Sequence, residues 1–235
     1  MEEKVKPSFA ILLTGILGAL GALIVGVAEL ALHFTPSGEY SANYRFFLDV
    51  PRSRLIFGHF FSVHTIPLYF LGYWHLFHML KPAHLWLRSA IFALGVFAFA
   101  VGNAWIGSRS YLALIIQARE SVPEENQDLL NTLLLDASFF NESLLTVVRI
   151  SIALISITFF VLVMRGRTSY PRWLAVFNPI LLVLLCFLIY FLAPSIGGYL
   201  MPAAMNVAHF ILFTLSSYIC FKLYKDDRKQ KESVV

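Results

Sequence analysis

The chain has 235 residues, of which 58% are hydrophobic and only 14% are charged, whereas roughly 25% of residues are charged in an average soluble domain. It contains several apolar runs of about 20 residues, a length that a soluble core does not need. This composition excludes an ordinary soluble globular protein and predicts an integral membrane protein. Strands of a membrane barrel would alternate polar and apolar residues, and no stretch of the sequence does so. The predicted fold class is therefore all-α.

Six apolar runs approach or exceed the length needed to cross ~30 Å of hydrocarbon at about 1.5 Å per residue. They predict six transmembrane helices in one bundle, which forms a single domain over residues 1–225 and is followed by a short charged tail at 226–235. The helices are predicted at residues 8–33, 55–80, 85–106, 144–164, 174–192 and 200–224. In the fifth, Asn178 and Pro179 resemble an N-cap and a first helical residue, which would start that helix later.

Positive charge is distributed unevenly between the two sides of this predicted bundle. With the N-terminus in the cytoplasm, most Lys and Arg residues fall in cytoplasmic segments. The positive-inside rule then places both termini in the cytoplasm and predicts a multi-pass protein of the cell membrane. The basic residues after Tyr224 lie where a topology anchor is expected, so no nucleic-acid partner is predicted.

The loop between the third and fourth predicted helices is long enough to hold structure of its own. From Pro123 to Phe140, apolar residues recur at helical spacing opposite acidic and amide side chains. This pattern predicts an amphipathic interfacial helix over the outer face, either as a connector or as a lid. Asn141, Glu142 and Ser143, which follow it, match the acceptor sequence for N-glycosylation.

Small residues on the first predicted helix indicate how that helix packs. Gly18, Ala22 and Gly26 follow at four-residue spacing, a pattern that allows another helix to approach closely. Glu29 lies three residues beyond Gly26 and on the same face. Its carboxyl group is therefore predicted to point into the bundle.

Polar residues within the predicted helices concentrate in the half nearest the non-cytoplasmic side. Charged groups in hydrocarbon are costly, so these residues are candidates for function. Their estimated depths overlap, between about 5 and 14 Å at roughly 1.5 Å per residue, which predicts one outward-facing cavity. The predicted lining consists of Glu29, His59, Ser62, His64, Asn103, Arg149, Asn206 and His209.

Helical geometry limits which of these residues can face the cavity together. His59 and Ser62 share a face, but His59 and His64 are about 140° apart, so only one of the two histidines is expected to face the site. On the last helix, Asn206 and His209 share a face that Phe213 and Ser216 continue. His33, His75 and His78 fall near helix ends and are predicted to be interfacial.

Three chemistries fit the predicted lining. A zinc ion would use Glu29, His59, His64 and His209 as tentative ligands, and its bound water would hydrolyse an ester or amide. Metal-free acid/base catalysis would use Glu29 and His209, while His59, Ser62, His64, Asn103, Arg149 and Asn206 bind a lipid-like substrate. A haem between His64 and His209 is the third alternative. The sequence does not decide which cofactor, if any, is present.

Other uses of the same residues require no catalysis. Arg149 is expected to pair with Glu29 or Glu142 in a network that fixes helix packing or acts as a gate. Asn103 and Asn206 would form hydrogen bonds between helices. The sequence therefore predicts a membrane protein whose polar cavity takes a lipid-like or amphipathic small molecule. It would act as a lipid-modifying enzyme or, alternatively, as a transporter, channel or ligand-sensing receptor.

Overall fold

The computed structural model describes residues 7–35, 40 and 43–232, and within these residues every regular element is a helix. The α-helices are α1 (Phe9–His33), α2 (Arg52–Thr65), α3 (Pro67–Met79), α4 (Leu85–Ser121), α5 (Asp128–Met164), α6 (Pro179–Leu192), α7 (Pro194–Leu200) and α8 (Ala204–Glu232). Short 3₁₀ turns lie at Arg45–Asp49, Glu124–Asn126, Arg172–Phe177 and Met201–Ala203. The predicted all-α class is confirmed. The predicted charged tail is the end of α8 as far as Glu232, and its last residues lie outside the described part of the chain.

Five helical segments within the described residues are long and apolar enough to cross a membrane: α1, α2 with α3, α4, α5, and α7 with α8. The predicted count of six is not confirmed, because α6 has only 14 residues, which cover about 21 Å at 1.5 Å per residue. This helix begins at Pro179 and not at residue 174, since the Asn178 side chain caps it by accepting a hydrogen bond from the Leu181 backbone N–H at 3.2 Å.

The predicted second helix is divided at Pro67, which has no backbone N–H to donate. α2 therefore ends at Thr65 and α3 starts at Pro67. The division allows the two halves to pack differently: α2 contacts α1 and α4, while α3 contacts α1, α4 and α8.

The segment predicted as an interfacial helix is the beginning of α5. α4 and α5 each contain 37 residues, or about 55 Å at 1.5 Å per residue, and they pack along each other. Both extend well beyond ~30 Å of hydrocarbon. Residues 128–140 are helical as predicted, but they do not form a separate element, because neither glycine nor proline interrupts the sequence between Asp128 and Met164.

α1 is packed against α2, α3 and α8, and glycine allows the closest of these contacts. A Cβ atom added to Gly18 would lie 2.4 Å from the Cα atom of Gly72 on α3. One added to Gly26 would lie 3.1 Å from the Cβ atom of Asn206 on α8. The predicted small-residue face is confirmed. It places Glu29, one turn beyond Gly26, against α8.

Candidate functional site

Glu29 lies at one end of a hydrogen-bonded chain that joins three helices. Its side chain is buried, and its Oε2 atom accepts a hydrogen bond from the Nδ2 atom of Asn206 on α8. The Oδ1 atom of Asn206 accepts a second hydrogen bond from the hydroxyl of Tyr69 on α3. Burying polar groups is costly unless they are hydrogen-bonded, so these contacts stabilise α1, α3 and α8 in one arrangement.

Arg109 of α4 is a buried cation close to Glu29. Its Nε atom donates to Nε2 of His33 at 2.9 Å, and its Nη1 atom donates to Oδ1 of Asn141 at 3.1 Å. Because a guanidinium group can only donate, Nε2 of His33 must be the unprotonated ring nitrogen. The protonated Nδ1 atom of His33 then donates to the backbone oxygen of Glu29 at 3.1 Å.

Aromatic rings surround the guanidinium group of Arg109. Its Cζ atom lies 4.9 Å from the ring centre of Tyr44, 5.1 Å from that of Phe47 and 5.5 Å from that of Trp105. These distances fall within the ~6 Å range of cation–π attraction. The 3₁₀ turn at Arg45–Asp49 and the residue before it therefore cover the buried charge.

Tyr44 also fixes the position of an acidic group on α5. Its hydroxyl donates to the Oε1 atom of Glu142 at 2.5 Å. Burial, together with the adjacent Glu142 carboxylate, raises the pKa of Tyr44 to about 12. The phenol consequently stays protonated near neutral pH and acts as a hydrogen-bond donor.

A cavity of about 570 Å³ lies beside these groups and has two kinds of wall. The polar wall includes Glu29, His33, Tyr44, Arg109, Glu142 and Arg149, and the apolar wall includes Leu145, Val183, Phe187, Met201 and Met205. Arg149 on α5 and Phe187 on α6 are both exposed. The cavity is therefore accessible at the edge between α5 and α6.

Among the sequence-predicted site residues, Glu29 and Arg149 line this cavity and Asn206 holds the Glu29 carboxyl group from behind. His209 is fully buried instead of lining the cavity. Its Nδ1 atom lies 2.8 Å from the backbone oxygen of Met205, and its Nε2 atom lies 2.9 Å from the Tyr73 hydroxyl. Both of its ring nitrogens are therefore occupied by protein groups.

The predicted residues of α2 lie away from the cavity, because the face of α2 that carries Gly58 and Ser62 packs against α1. A Cβ atom added to Gly58 would lie 2.8 Å from the backbone oxygen of Ala28 on α1. Ser62, one turn further along α2, is fully buried, and its hydroxyl has no hydrogen-bond partner among the described residues. With this face of α2 against α1, neither His59 nor His64 is directed toward the cavity.

His59 and Asn103 line a different pocket from the one beside Glu29. The Nδ1 atom of His59 lies 3.2 Å from the backbone oxygen of Gly107, and His59 and Asn103 together line a surface pocket between α2 and α4. His64 is exposed, and its Nδ1 atom lies 2.8 Å from the backbone oxygen of Phe60 on the same helix.

The predicted metal ligands do not converge in this fold. Across the described ranges, no group of three or more His, Cys, Asp or Glu side chains is placed to hold a metal ion. Glu29 and His209 are separated from His59 and His64 by the packing of α1 against α2 and α3. The proposed haem ligands are also apart, since His64 is exposed on α2 whereas His209 is buried beside Tyr73.

Sequence reasoning missed several members of the polar network. Arg109 lies beyond residue 106, where the third predicted helix ends, yet it belongs to the continuous helix α4. Asn141, which the sequence matched only to the acceptor pattern for glycosylation, is buried and bonded to Arg109 and to Ser108. A usable signal was present in the spacing of Tyr69 and Tyr73, which lie one turn apart and both face the core.

A second polar network occupies the opposite end of the bundle. His75 is fully buried, with Nδ1 2.7 Å from the backbone oxygen of Ile11 and Nε2 2.8 Å from the Ser216 hydroxyl. The Tyr170 hydroxyl lies 2.5 Å from the same Ser216 oxygen. His75, predicted to be interfacial from its place near a helix end, is enclosed by protein groups. Through these contacts His75 joins α3 to α1 and α8, and Ser216 joins α8 to Tyr170 in the segment that follows α5.

An all-helical chain with several segments apolar enough to cross a bilayer, and with its buried ions held between those segments, has the architecture of a multi-pass membrane protein. Residues 1–223 match DUF6796, a family of unknown function, and because this match covers most of the chain, the protein belongs to that family. Comparisons with curated proteins and with solved structures gave no match.

Proposed function

We propose that this protein binds an amphipathic, lipid-like molecule in the cavity beside Glu29. The mixed lining of the cavity supports this function, because charged and hydrogen-bonding groups share it with aliphatic and aromatic ones. Small-molecule sites typically have volumes of about 300–1,000 Å³ and mainly apolar walls with a few placed polar groups. The cavity of about 570 Å³ fits this description, and its accessible edge between α5 and α6 offers a route from the lipid phase.

We further propose that the cavity faces the non-cytoplasmic side and that α6 is the sixth crossing of a cell-membrane bundle. Both termini then lie in the cytoplasm, as the distribution of Lys and Arg favours. A crossing as short as α6 is tolerated when the bilayer thins locally. Labelling of single cysteines by a membrane-impermeant reagent in intact cells tests this topology. A cysteine at Glu125 should react and one at Lys229 should not, and the reverse pattern would overturn the proposed orientation.

Intrinsic fluorescence offers a direct test of ligand binding, because Trp105 lines the polar side of the cavity. The other tryptophans, Trp74, Trp86 and Trp173, are exposed elsewhere, so they can be replaced by phenylalanine to leave Trp105 alone. A short-chain lipid brominated on its tail should quench Trp105 saturably, and the unbrominated lipid should reverse the quenching. A matched variant that retains only Trp173 should show no saturation. Equal, unsaturable quenching in both variants would refute a specific site.

Acid/base catalysis on the bound molecule is the second candidate function, because the Glu29 carboxyl group itself lines the cavity. The proposed catalytic partnership with His209 is less well supported, since both ring nitrogens of His209 contact protein groups. The Glu29→Gln substitution separates the two functions. A binding protein should keep its affinity in this variant, whereas an enzyme should bind the molecule and fail to convert it.

A further inference from the structure

The four charged residues that line the cavity differ in whether the protein itself satisfies them. Asn206 donates to Glu29, Tyr44 donates to Glu142 at 2.5 Å, and Arg109 donates to His33 and Asn141. Within the described part of the chain, the Arg149 side chain forms neither a hydrogen bond nor an ion pair. Arg149 is thus the charged group of the lining that is left to interact with a bound molecule.

The position of Arg149 makes this lack of a partner significant. Glu142, Leu145 and Arg149 follow at three- and four-residue spacing and line the cavity from one face of α5. The apolar part of α5 begins at Leu144, so Arg149 lies about 8 Å inside it at 1.5 Å per residue. An exposed cation at this depth is costly in hydrocarbon unless an anion or water accompanies it.

We infer that the ligand of the cavity carries an anionic headgroup, a phosphate or a carboxylate, and that Arg149 binds it. This inference rests on the proposed binding function and specifies its ligand class. The planar guanidinium fork binds such oxygens through two parallel hydrogen bonds. The headgroup enters at the edge between α5 and α6, where Arg149 is exposed, and the apolar part of the ligand lies along Leu145, Val183 and Phe187.

The neighbouring acidic groups do not oppose this placement. The Glu142 carboxylate is engaged by the Tyr44 phenol, and the guanidinium of Arg109 lies close enough to both Glu142 and Glu29 to attract them electrostatically. The Glu142 carboxylate and the Arg109 guanidinium offset each other, and the Glu29 carboxyl group is engaged by Asn206. Among the four charged residues, Arg149 is the one whose side chain no described protein group engages, and its positive charge attracts an anion.

Competition by three unbrominated probes, measured in the variant that retains only Trp105, tests whether the ligand needs an anionic headgroup. Each probe lacks at most one part of the proposed ligand. Dioctanoyl phosphatidic acid has both tails and a phosphate, dioctanoylglycerol has the same tails without the phosphate, and glycerol 3-phosphate has the phosphate without tails. Phosphatidic acid should bind about tenfold more tightly than dioctanoylglycerol, the factor expected for one charge-assisted contact. Glycerol 3-phosphate should bind more weakly than phosphatidic acid, because it leaves the apolar wall unfilled.

Arg149→Gln should remove the preference for phosphatidic acid and leave the affinity for dioctanoylglycerol unchanged. Arg149→Lys, which keeps the charge but not the fork, should retain part of the preference. Arg165→Gln, at the exposed end of the same helix, is the matched control and should behave as the parent protein. Melting temperatures of all variants show whether any of them has lost its fold.

The possible outcomes separate the inference from the proposed function. Equal binding of phosphatidic acid and dioctanoylglycerol, or a preference that survives Arg149→Gln, would overturn the anionic headgroup while leaving the binding function intact. If glycerol 3-phosphate binds as tightly as phosphatidic acid, the site takes a free anion and not a lipid. If no probe binds, the proposed function and the inference are both wrong.

Discussion

Replacing Gly18 with alanine tests the packing that places Glu29 against α8. The added Cβ atom would lie 2.4 Å from the Cα atom and 2.9 Å from the backbone nitrogen of Gly72. Backbone atoms cannot rotate away, so the overpacking cost should reach the upper end of its usual range, about 3 kcal/mol. The higher helix propensity of alanine returns about 1 kcal/mol. The expected net loss of unfolding free energy is therefore about 2 kcal/mol.

A loss of this size should lower the melting temperature by roughly 4–8 °C for a chain of this length. Thermal unfolding of the purified protein in one detergent, followed by tryptophan fluorescence, measures the change. Gly102→Ala is the matched control, because a Cβ atom there meets only Val148 Cγ2, at 3.8 Å, and should cost nothing. If Gly18→Ala melts at or above the temperature of Gly102→Ala, the close approach of α1 and α3 is refuted.

Two further predictions concern the buried cation and the segment that covers it. Arg109→Met should lower the unfolding free energy by at least about 3 kcal/mol, because it removes two hydrogen bonds from a charged donor at about 1.5–3 kcal/mol each. Asn141→Ala removes one of these bonds and also the bonds that its Nδ2 atom donates to the Trp105 backbone oxygen and the Ser108 hydroxyl, so it should lower the unfolding free energy by a similar amount, and an unchanged melting temperature in either variant would contradict the assigned contacts. The pKa of Tyr44 is raised to about 12 by burial, above the ~10 of an unfolded tyrosine, so its stabilising effect is complete below about pH 10 and is lost as the pH rises toward 12. Unfolding measured across this range should show a smaller alkaline decline in Tyr44→Phe than in the parent protein, and an unchanged decline would exclude this role.

Hydropathy and residue size predicted the arrangement of the main helices well. The apolar runs located α1, the paired α2 and α3, and α8, and the four-residue spacing of Gly18, Ala22 and Gly26 identified the packed face of α1. Helix ends were harder to predict where apolar character and helical conformation stop at different residues. α4 and α5 remain helical far beyond their apolar parts: α5 contains neither glycine nor proline, and α4, although it contains Gly107 beyond its apolar part, contains no proline.

The sequence predicted which side chains of α1 and α8 point inward, but not those whose orientation depends on packing between helices. Facing arguments within one helix correctly turned Glu29 and Asn206 inward, because the small-residue face of α1 fixes the orientation of its own side chains. They failed for His59 and His64, whose orientation depends on which face of α2 packs against α1. They also passed over Arg109, since a sequence shows that a cation follows an apolar run but not that aromatic rings from another segment enclose it.

The face of α8 that carries Asn206 and His209 helps to distinguish a site open to one side of the membrane from a path through the bundle. Asn206, His209 and Ser216 are buried along this face, as their spacing predicted, and belong to hydrogen-bonded groups at successive depths. Phe213 lies between them, fully buried, with its ring centre 5.6 Å from that of His209. A Cβ atom added to Gly72 would lie 2.6 Å from the Phe213 ring, so this ring fills the space that glycine leaves.

The consequence concerns how a molecule bound beside Glu29 could move. Interiors packed as closely as the contact between Phe213 and Gly72 leave no room for a ligand or a continuous chain of water. His209 and Ser216, on either side of the ring, already have hydrogen-bond partners within the protein. A transporter with this fold would have to displace Phe213 in every cycle, whereas a binding protein or an enzyme that works from one side of the membrane leaves it in place. The packing around Phe213 therefore favours a one-sided site.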